Sequence, residues 1–411
     1  MMQFWSRRSL IGTAGAAALC AIPVLGRAAS VERDVTFAQD FDELWNTLGE
    51  RYCYFPDKRT DWNKVRSLYR PMAIAAPDEA AFEEVVRLVL AELYDAHTHL
   101  NDPPDGSPRW PLYDLLGEGS ADNVKIVAVA DDSAARRAGL APGLRITAIE
   151  GRPIGDCVRA LMPRCLTRPD PAAEAYAINV ALAGRRGKPR LLTVRDADGH
   201  SREVGLPLGS SPSRPDLEHA RLPDGTGHIV IRSFADTDMV AAFDTALDDL
   251  RDAPGLILDM RDNGGGNTAV ARPMMGRFIT RAMPYATMRR REGAKLGASW
   301  TEWVEPRGPF TYDRPVVVLT SHWSASMAEG FPMGMRAIGR ATIVGTRMMG
   351  LGAAVFPITL DRTGIRAQYS AEPVYDIHGQ PRDALVPDIV VPEGQDILAA
   401  GSKALASAIH R

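Results

Sequence analysis

The sequence has no marked excess of either charge. Lys plus Arg number 48 against 51 Asp plus Glu, a formal net charge of -3. No basic excess points to nucleic acid or an anionic membrane surface as a partner. Cysteine is scarce: the four residues are Cys20, Cys53, Cys157 and Cys165, and no pair has zinc-ribbon spacing. No apolar run reaches the roughly 20 residues that a membrane-spanning helix needs. Gly at 36 and Pro at 30 suit many turns and fall short of low complexity, while 45% hydrophobic and 24% charged residues are ordinary for a globular chain. The chain is nevertheless 411 residues long. One hydrophobic core usually stops growing near 250–300 residues, so two or three domains are expected.

Residues 1–29 read as an export segment rather than as fold. Arg7 and Arg8 precede an apolar, small-residue stretch from Ile11 to Leu25, and Gly26-Arg27-Ala28-Ala29 offers small residues for cleavage. The paired arginines have the pattern of a twin-arginine signal, which predicts a periplasmic or secreted protein. Loss of this segment removes three Arg and no acid, leaving 45 basic and 51 acidic residues, or -6. Cys20 leaves with it. Of the remaining three, Cys157 and Cys165 are the nearer pair and are open to a bridge in an oxidising compartment.

Residues 30–112 carry apolar stripes at helical spacing. These are Phe41, Leu44, Trp45 and Leu48, then Trp62, Val65 and Tyr69, then Phe82, Val85, Val86, Val89 and Leu93. Residues 118–208 change to short strands around Val124–Val129 and Arg145–Ile149. A small helix near Ala134, a helix over 172–183 and a hairpin turning at Asp198-Gly199 complete this part. Residues 209–226, rich in Pro, Ser and Asp, read as a linker. Residues 227–400 alternate strand and helix, with strands near His228, Leu256, Val316 and Thr342, and helices over 240–250 and 326–337. That order predicts helices packed around a buried sheet, with sites in the loops after its strands.

Three clusters can carry chemistry. In Asp95-Ala-His97-Thr-His99, two histidines follow a helix. A metal there lacks further ligands at a recognised spacing, and helix capping is the plainer role. Asp259-Met-Arg-Asp-Asn263-Gly-Gly-Gly266 follows a strand, and its glycines let backbone N–H groups face a developing oxyanion. Alone, it is equally a structural turn. Ser321-His-Trp-Ser324-Ala-Ser326-Met-Ala-Glu329 joins an apolar strand to a helix. A serine at such a junction is exposed beside unpaired N–H groups, although plain N-capping by Ser324 or Ser326 fits as well.

Taken together, residues 36–395 resemble the S41 peptidases, the C-terminal-processing and tricorn-type serine peptidases. Residues 124–153, centred on Ser133-Ala-Ala-Arg-Arg-Ala-Gly139, resemble a PDZ domain. Residues 256–266 resemble the family's strand and glycine loop, and Ser324-Ala-Ser326-Met-Ala-Glu329 its nucleophile motif. Leu385-Val-Pro-Asp388 resembles its C-terminal signature. The resemblance implies an α+β and α/β multidomain chain: an N-terminal helical domain, a PDZ-like β domain and a ClpP/crotonase-like βα catalytic core. It implies no cofactor and no metal.

One departure decides the mechanism. Processing members place a lysine 25 residues after the serine, between two glycines, but this chain reads Gly350-Leu351-Gly352, with Val355 where a glutamine is expected. Leucine accepts no proton. Tricorn-type relatives take the base from a histidine, and His97 matches that position. The resemblance therefore implies Ser326 as nucleophile and His97 as base, with Met327 and the glycine loop, Gly265 above all, supplying the oxyanion hole. The carboxylate expected near the C-terminal signature is replaced by Pro381. Glu372, Asp376 and Asp383 are candidates, with Asp376 favoured because it precedes the His378-Gly379 turn. Asp95 either caps its own helix or supports His97, and His322 is a rival base. The expected substrate is a peptide or an unfolded protein segment, captured through the PDZ-like domain. A catalytically inactive binder of peptides or small ligands, and a serine esterase, are the alternative readings.

Overall fold

A computed structural model of the chain describes residues 24–208 and 214–410. The Arg7-Arg8 pair and most of the export segment lie outside the described residues. The last of that segment, from Val24, continues as backbone of the first helix, Val24–Arg51.

Helices Val24–Arg51, Trp62–Ile74 and Glu79–Ala91 form the expected N-terminal helical region. Asp61 and Asp78 cap the second and third by accepting from the Lys64 and Ala81 N–H groups. The apolar stripes meet as predicted, with Phe41, Leu44, Leu48, Val65, Phe82 and Val86 all fully buried. That core is not closed by helices alone. Ile358, Leu360, Ala367 and Tyr369, from far along the chain, fill its remaining side.

The middle region is an antiparallel sheet. Its strands run in the order Leu115–Ser120, Asn123–Val129, Arg145–Ile149, Arg190–Arg195 and Ser201–Leu206. Helix Pro171–Ala183 covers one face, packing Ile178 and Leu182 on Val124, Ile146 and Leu192. The turn before the last strand is the expected hairpin. Cys53, Cys157 and Cys165 are all free thiols, so the bridge between Cys157 and Cys165 is not formed. Cys165 is buried against the helical region, while Cys157 packs beside the β-domain core.

The C-terminal region holds a six-stranded sheet, ordered Ile389–Val390, Thr342–Gly345, Val316–Thr320, Leu256–Asp259, Gly227–Ile231 and Leu217–Arg221. All pairs are parallel except the last. Val316–Thr320 is buried along its length, as a central strand covered on both faces must be. Helices Asp238–Asp249 and Met327–Ala337 cover one face, and Ile397–Ile409 the other. The expected linker over 209–226 is shorter than read. Leu217–Arg221 is a polar edge strand paired with Gly227–Ile231, and its exposed residues left no hydrophobic alternation to mark it.

A second sheet was absent from the sequence reading. Strands Ala353–Thr359 and Arg366–Tyr375 form a hairpin that pairs with His99–Leu100 on one side and Met283–Met288 on another. It therefore ties the helical region to the core. Asp40, fully buried in the first helix, clamps the hairpin's turn by accepting from the N–H groups of Arg362 (3.0 Å) and Thr363 (2.8 Å) and from the Thr363 hydroxyl (2.7 Å).

Replacing Asp40 with Ala removes the shared acceptor of three part-buried hydrogen bonds. We expect Asp40→Ala to lower unfolding stability by about 3 kcal/mol in urea denaturation, and an effect no larger than that of an exposed control substitution would show that the clamp adds no stability.

Candidate active site

The strand Val316–Thr320 ends in a turn that delivers Ser326 to the start of helix Met327–Ala337. Ser326 has φ 54° and ψ -114°, a conformation that side chains rarely adopt. Neighbouring side chains hold it there. The Ser324 hydroxyl donates to the Met260 carbonyl (2.7 Å) and accepts from the Ser321 N–H (2.9 Å). Ala325 N–H donates to the Asn263 carbonyl (3.0 Å). Of the two serines that were capping candidates, Ser324 is thus used inside the turn.

The glycine loop lies directly beneath. Gly265, at φ 98°, comes so close that an added Cβ would stand 2.8 Å from the Ser326 Cβ and 3.1 Å from the Met327 nitrogen. Its own N–H donates to Oδ1 of Asn263 (2.7 Å), whose Nδ2 donates to the Ile231 carbonyl (3.0 Å). The Gly265 amide is therefore engaged within the loop, and what the residue visibly supplies is the close approach. Met327 is the first residue of its helix, so its N–H has no acceptor one turn back.

Glu329 is the residue whose importance was not legible. It is 1% exposed. Its Oε1 accepts from the N–H groups of Ser326 (2.9 Å) and Leu351 (2.7 Å), and its Oε2 from Gly350 (3.1 Å). Burial raises its pKa to about 7, opposed by the positive charge of Arg382 and by those hydrogen bonds. Arg382 is buried too and donates through Nε to the Leu351 carbonyl (3.1 Å) and through its terminal nitrogen to Ala353 (2.9 Å). The only sequence sign was an acid three residues after Ser326, the spacing of a capping box.

His97 stands across the opening, in the turn between helix Glu79–Ala91 and strand His99–Leu100. Its N–H donates to Asp95 Oδ1 (2.9 Å), and its carbonyl accepts from Gln368 Nε2 (3.2 Å). Asp95 Oδ2 accepts from the hydroxyls of Tyr52 (3.1 Å), Thr98 (2.8 Å) and Ser370 (2.8 Å). Asp95 thus fixes the turn rather than the imidazole. His97 is 8% exposed and its Nδ1 is buried without a partner. Burial lowers its pKa to about 4, against the pull of Asp95 and with the help of Arg382. The ring is accordingly neutral at pH 7.

His97, Ser326 and Leu351 line one cleft of about 1220 Å³, with Gly264 and Gly266 on its floor. Among the described residues no hydrogen bond joins His97 to Ser326. Such bonds are commonly long in unliganded sites. His322 is turned elsewhere: its Nε2 lies 2.5 Å from Glu393 and it lines a different pocket. The structure does not bring Asp376 to the cleft. Its carboxylate accepts from the N–H groups of His378 (2.8 Å) and Gln380 (2.9 Å) and serves its own turn. Glu372 pairs with Arg290 (2.7 Å). The only group of three possible metal ligands among the described residues is Asp196, Asp198 and His200, at an exposed hairpin tip away from this cleft.

Two outcomes follow. Gly265→Ala should push Ser326 from its position and cut its labelling by an active-site serine probe about 100-fold, whereas unchanged labelling would show that the loop has room to yield. For Glu329, the folded pKa of about 7 lies above its ordinary 4.5. The stability this protonation adds is fully present below about pH 4.5 and is lost as pH rises through 7, a difference of about 3 kcal/mol. His97 titrates with the opposite sign, its folded pKa lying below 6.5. The readout is therefore wild type minus Glu329→Gln, whose stability difference should fall by that amount between pH 4.5 and 8. Parallel profiles would show that Glu329 does not titrate there.

Residues 225–391 match Peptidase family S41, and residues 34–91 match the tricorn protease C1 domain. The chain is 23% identical over 383 residues to carboxyl-terminal-processing peptidase 3, chloroplastic, of Arabidopsis thaliana, covering 84% of this chain and 69% of that one. It is 25% identical over 367 residues to the carboxyl-terminal-processing protease of Synechocystis sp., covering 85% and 79%. In fold it is similar to mature CPAF, with a TM-score of 0.62 at 16% identity over 92% of this chain and 97% of that one. The match over 225–391 contains Ser326 and the glycine loop, the tricorn match covers the helices that lead to His97, and the chain is a peptidase of the S41 kind.

Proposed function

We propose that the protein is an exported serine peptidase that hydrolyses peptide bonds with Ser326 as nucleophile and His97 as general base. The observation that carries this reading is the pairing of a strained serine, next to the Met327 N–H at the start of a helix, with a buried neutral histidine across one cleft. Ser326 Oγ attacks the scissile carbonyl carbon, and its proton passes to the His97 imidazole. The carbonyl oxygen becomes an oxyanion, held by the Met327 N–H and the 264–266 loop, in which Gly265 provides the close approach. The carbon–nitrogen bond breaks as His97 returns the proton to the leaving amine. Water then attacks the acyl ester, gives its proton to His97, and the Ser326 hydroxyl is restored.

No lysine is needed in this scheme, and Leu351 at the vacated position contributes only its backbone. Asp376 takes no part. The middle β-domain is read as a PDZ-like module that captures peptide by strand addition. Its Arg186 and Gly187 line the same cleft as Ser326, which supports delivery of substrate from that side. The arginine pair at positions 7 and 8 supports export to the periplasm or beyond, and no described helix is long and apolar enough to cross a membrane.

A fluorophosphonate probe should label the full-length protein at Ser326 and not at all in Ser326→Ala. His97→Gln should slow labelling by about 10²–10⁴-fold. The wild-type rate should collapse below about pH 4, where His97 becomes protonated, and that limb should be missing in His97→Gln. Labelling at another serine, or full-speed labelling in His97→Gln, would overturn the assignment of the corresponding residue.

A further inference from the structure

Beyond Ser326 and His97, the cleft contains a cation with no counter-charge. Arg186 sits in the loop between helix Pro171–Ala183 and strand Arg190–Arg195 and lines the cleft. Its guanidinium lies 4.2 Å from the centroid of the Trp110 ring, and Trp110 in turn stacks on His99 at 3.7 Å. Its Nε is buried without a hydrogen-bond partner. Among the described residues, Arg186 forms no ion pair.

The loop that carries it is fixed. Arg186 N–H donates to the Ser107 carbonyl, and its own carbonyl accepts from the Gly106 N–H, both at 2.9 Å. The cleft's second arginine, Arg109, spends its terminal nitrogens on the carbonyls of Ala183 (3.0 Å) and Lys188 (3.3 Å), so its charge also lacks a carboxylate. Two acids line the same cleft. Asp262 stands 3.9 Å from Arg214. Asp105 lies over Gly187, where an added Cβ would meet it at 2.9 Å, and does not pair with Arg186. Two guanidinium charges near one wall, neither of them paired with a carboxylate among the described residues, favour an incoming anion.

We propose that Arg186 forms a carboxylate-binding subsite of the cleft, which selects peptides that carry a negative charge at this end, either as a free C-terminal carboxylate or as an acidic side chain. This rests on the reading of the cleft as the peptide site. A planar guanidinium backed by the Trp110 ring presents a fixed edge to a carboxylate, and Arg109 adds charge without competing for the same oxygens. Arg186 is thereby a specificity-determining residue and not part of the proton-transfer machinery.

The test is binding to full-length Ser326→Ala, measured by calorimetry, so that turnover does not enter. Three acetylated alanine- and leucine-based hexapeptides serve as probes: one with a free C-terminal carboxylate, the same peptide as an amide, and the amide with one central glutamate. At least one carboxylate-bearing peptide should bind about tenfold more tightly than the neutral amide, and the preference should shrink as salt is raised. The favoured peptide tells which source of carboxylate is read. Arg186→Gln should abolish the preference without weakening binding of the neutral amide, and Arg186→Lys should retain part of it. Equal binding of all three peptides, no binding of any, or an unchanged preference in Arg186→Gln would overturn the proposal. The last result would place any carboxylate recognition elsewhere on the chain. Failure of the nucleophile assignment is seen separately, as peptidase activity that survives in Ser326→Ala.

Discussion

The buried carboxylate of Glu329 is the constraint on which the rest of the site depends. A carboxylate removed from water costs several kcal/mol unless its oxygens are satisfied. Here three backbone N–H groups and the charge of Arg382 offset part of that cost, and burial still raises the pKa to about 7. Those donors come from the Ser326 turn and from the 350–351 turn. Arg382, from a third segment, closes the arrangement by gripping the carbonyls of Leu351 and Ala353. The strained backbone of Ser326 persists because its N–H is held from one side, while Gly265 leaves only enough space for it on the other. Leu351 serves this turn through its backbone, donating to Glu329 and accepting from Arg382, and its side chain brings no proton-accepting group.

The helical region and the core meet through the hairpin of Ala353–Thr359 and Arg366–Tyr375. Its Tyr369 and Ala367 complete the core of the N-terminal helices, while Val374 belongs to the core beneath Ser326. Between these, Ser370 binds Asp95 and Gln368 binds the His97 carbonyl. The position of His97 is therefore set by a strand that follows it by about 270 residues, as the separation of 271 from Gln368 records. The helical region has no complete core without that strand. This explains how two residues so far apart in sequence face one cleft with a defined geometry.

Local signals were legible where one physical pattern dominated. Val316–Thr320 is a run of β-branched and apolar residues and forms a buried strand over the residues expected. The helical stripes of the N-terminal region were equally plain. Ser326 and His97 stood out through the family resemblance, since their local signals, a strand-to-helix turn and a place after a helix, fit plain capping as well. What failed was long-range or polar. Leu217–Arg221 pairs by its backbone while its side chains stay in water, so no hydrophobic period announces it. Arg366–Tyr375 is buried on both faces for much of its length, with Gln, Ser and Glu among its residues, and alternation is lost. Asp376 lay near the right stretch of sequence, but its carboxylate is consumed by its own turn. Asn263 looked like part of a glycine loop. Its two side-chain hydrogen bonds, one from Gly265 and one to Ile231, depend on a neighbouring strand that sequence spacing cannot reveal.

On the proposed assignment, His97 works with little electrostatic help. A serine-histidine pair usually has a carboxylate against the imidazole, which stabilises the cation formed when the proton arrives. In this chain Asp95 gives its oxygens to the His97 backbone and to three hydroxyls, leaving Nδ1 unpartnered. Arg382 adds a positive charge that disfavours the imidazolium. Burial acts in the same direction. The histidine is thereby kept neutral and ready to accept a proton over nearly the whole physiological pH range, but each transfer to it is uphill. Such a site gains from whatever stabilises the oxyanion and orients the substrate, because these lower the same barrier without demanding a stronger base. Glu329 and the glycine loop then matter as much as the histidine. They hold Ser326 and the Met327 N–H where an oxyanion can form, and so compensate in geometry for what the base lacks in strength.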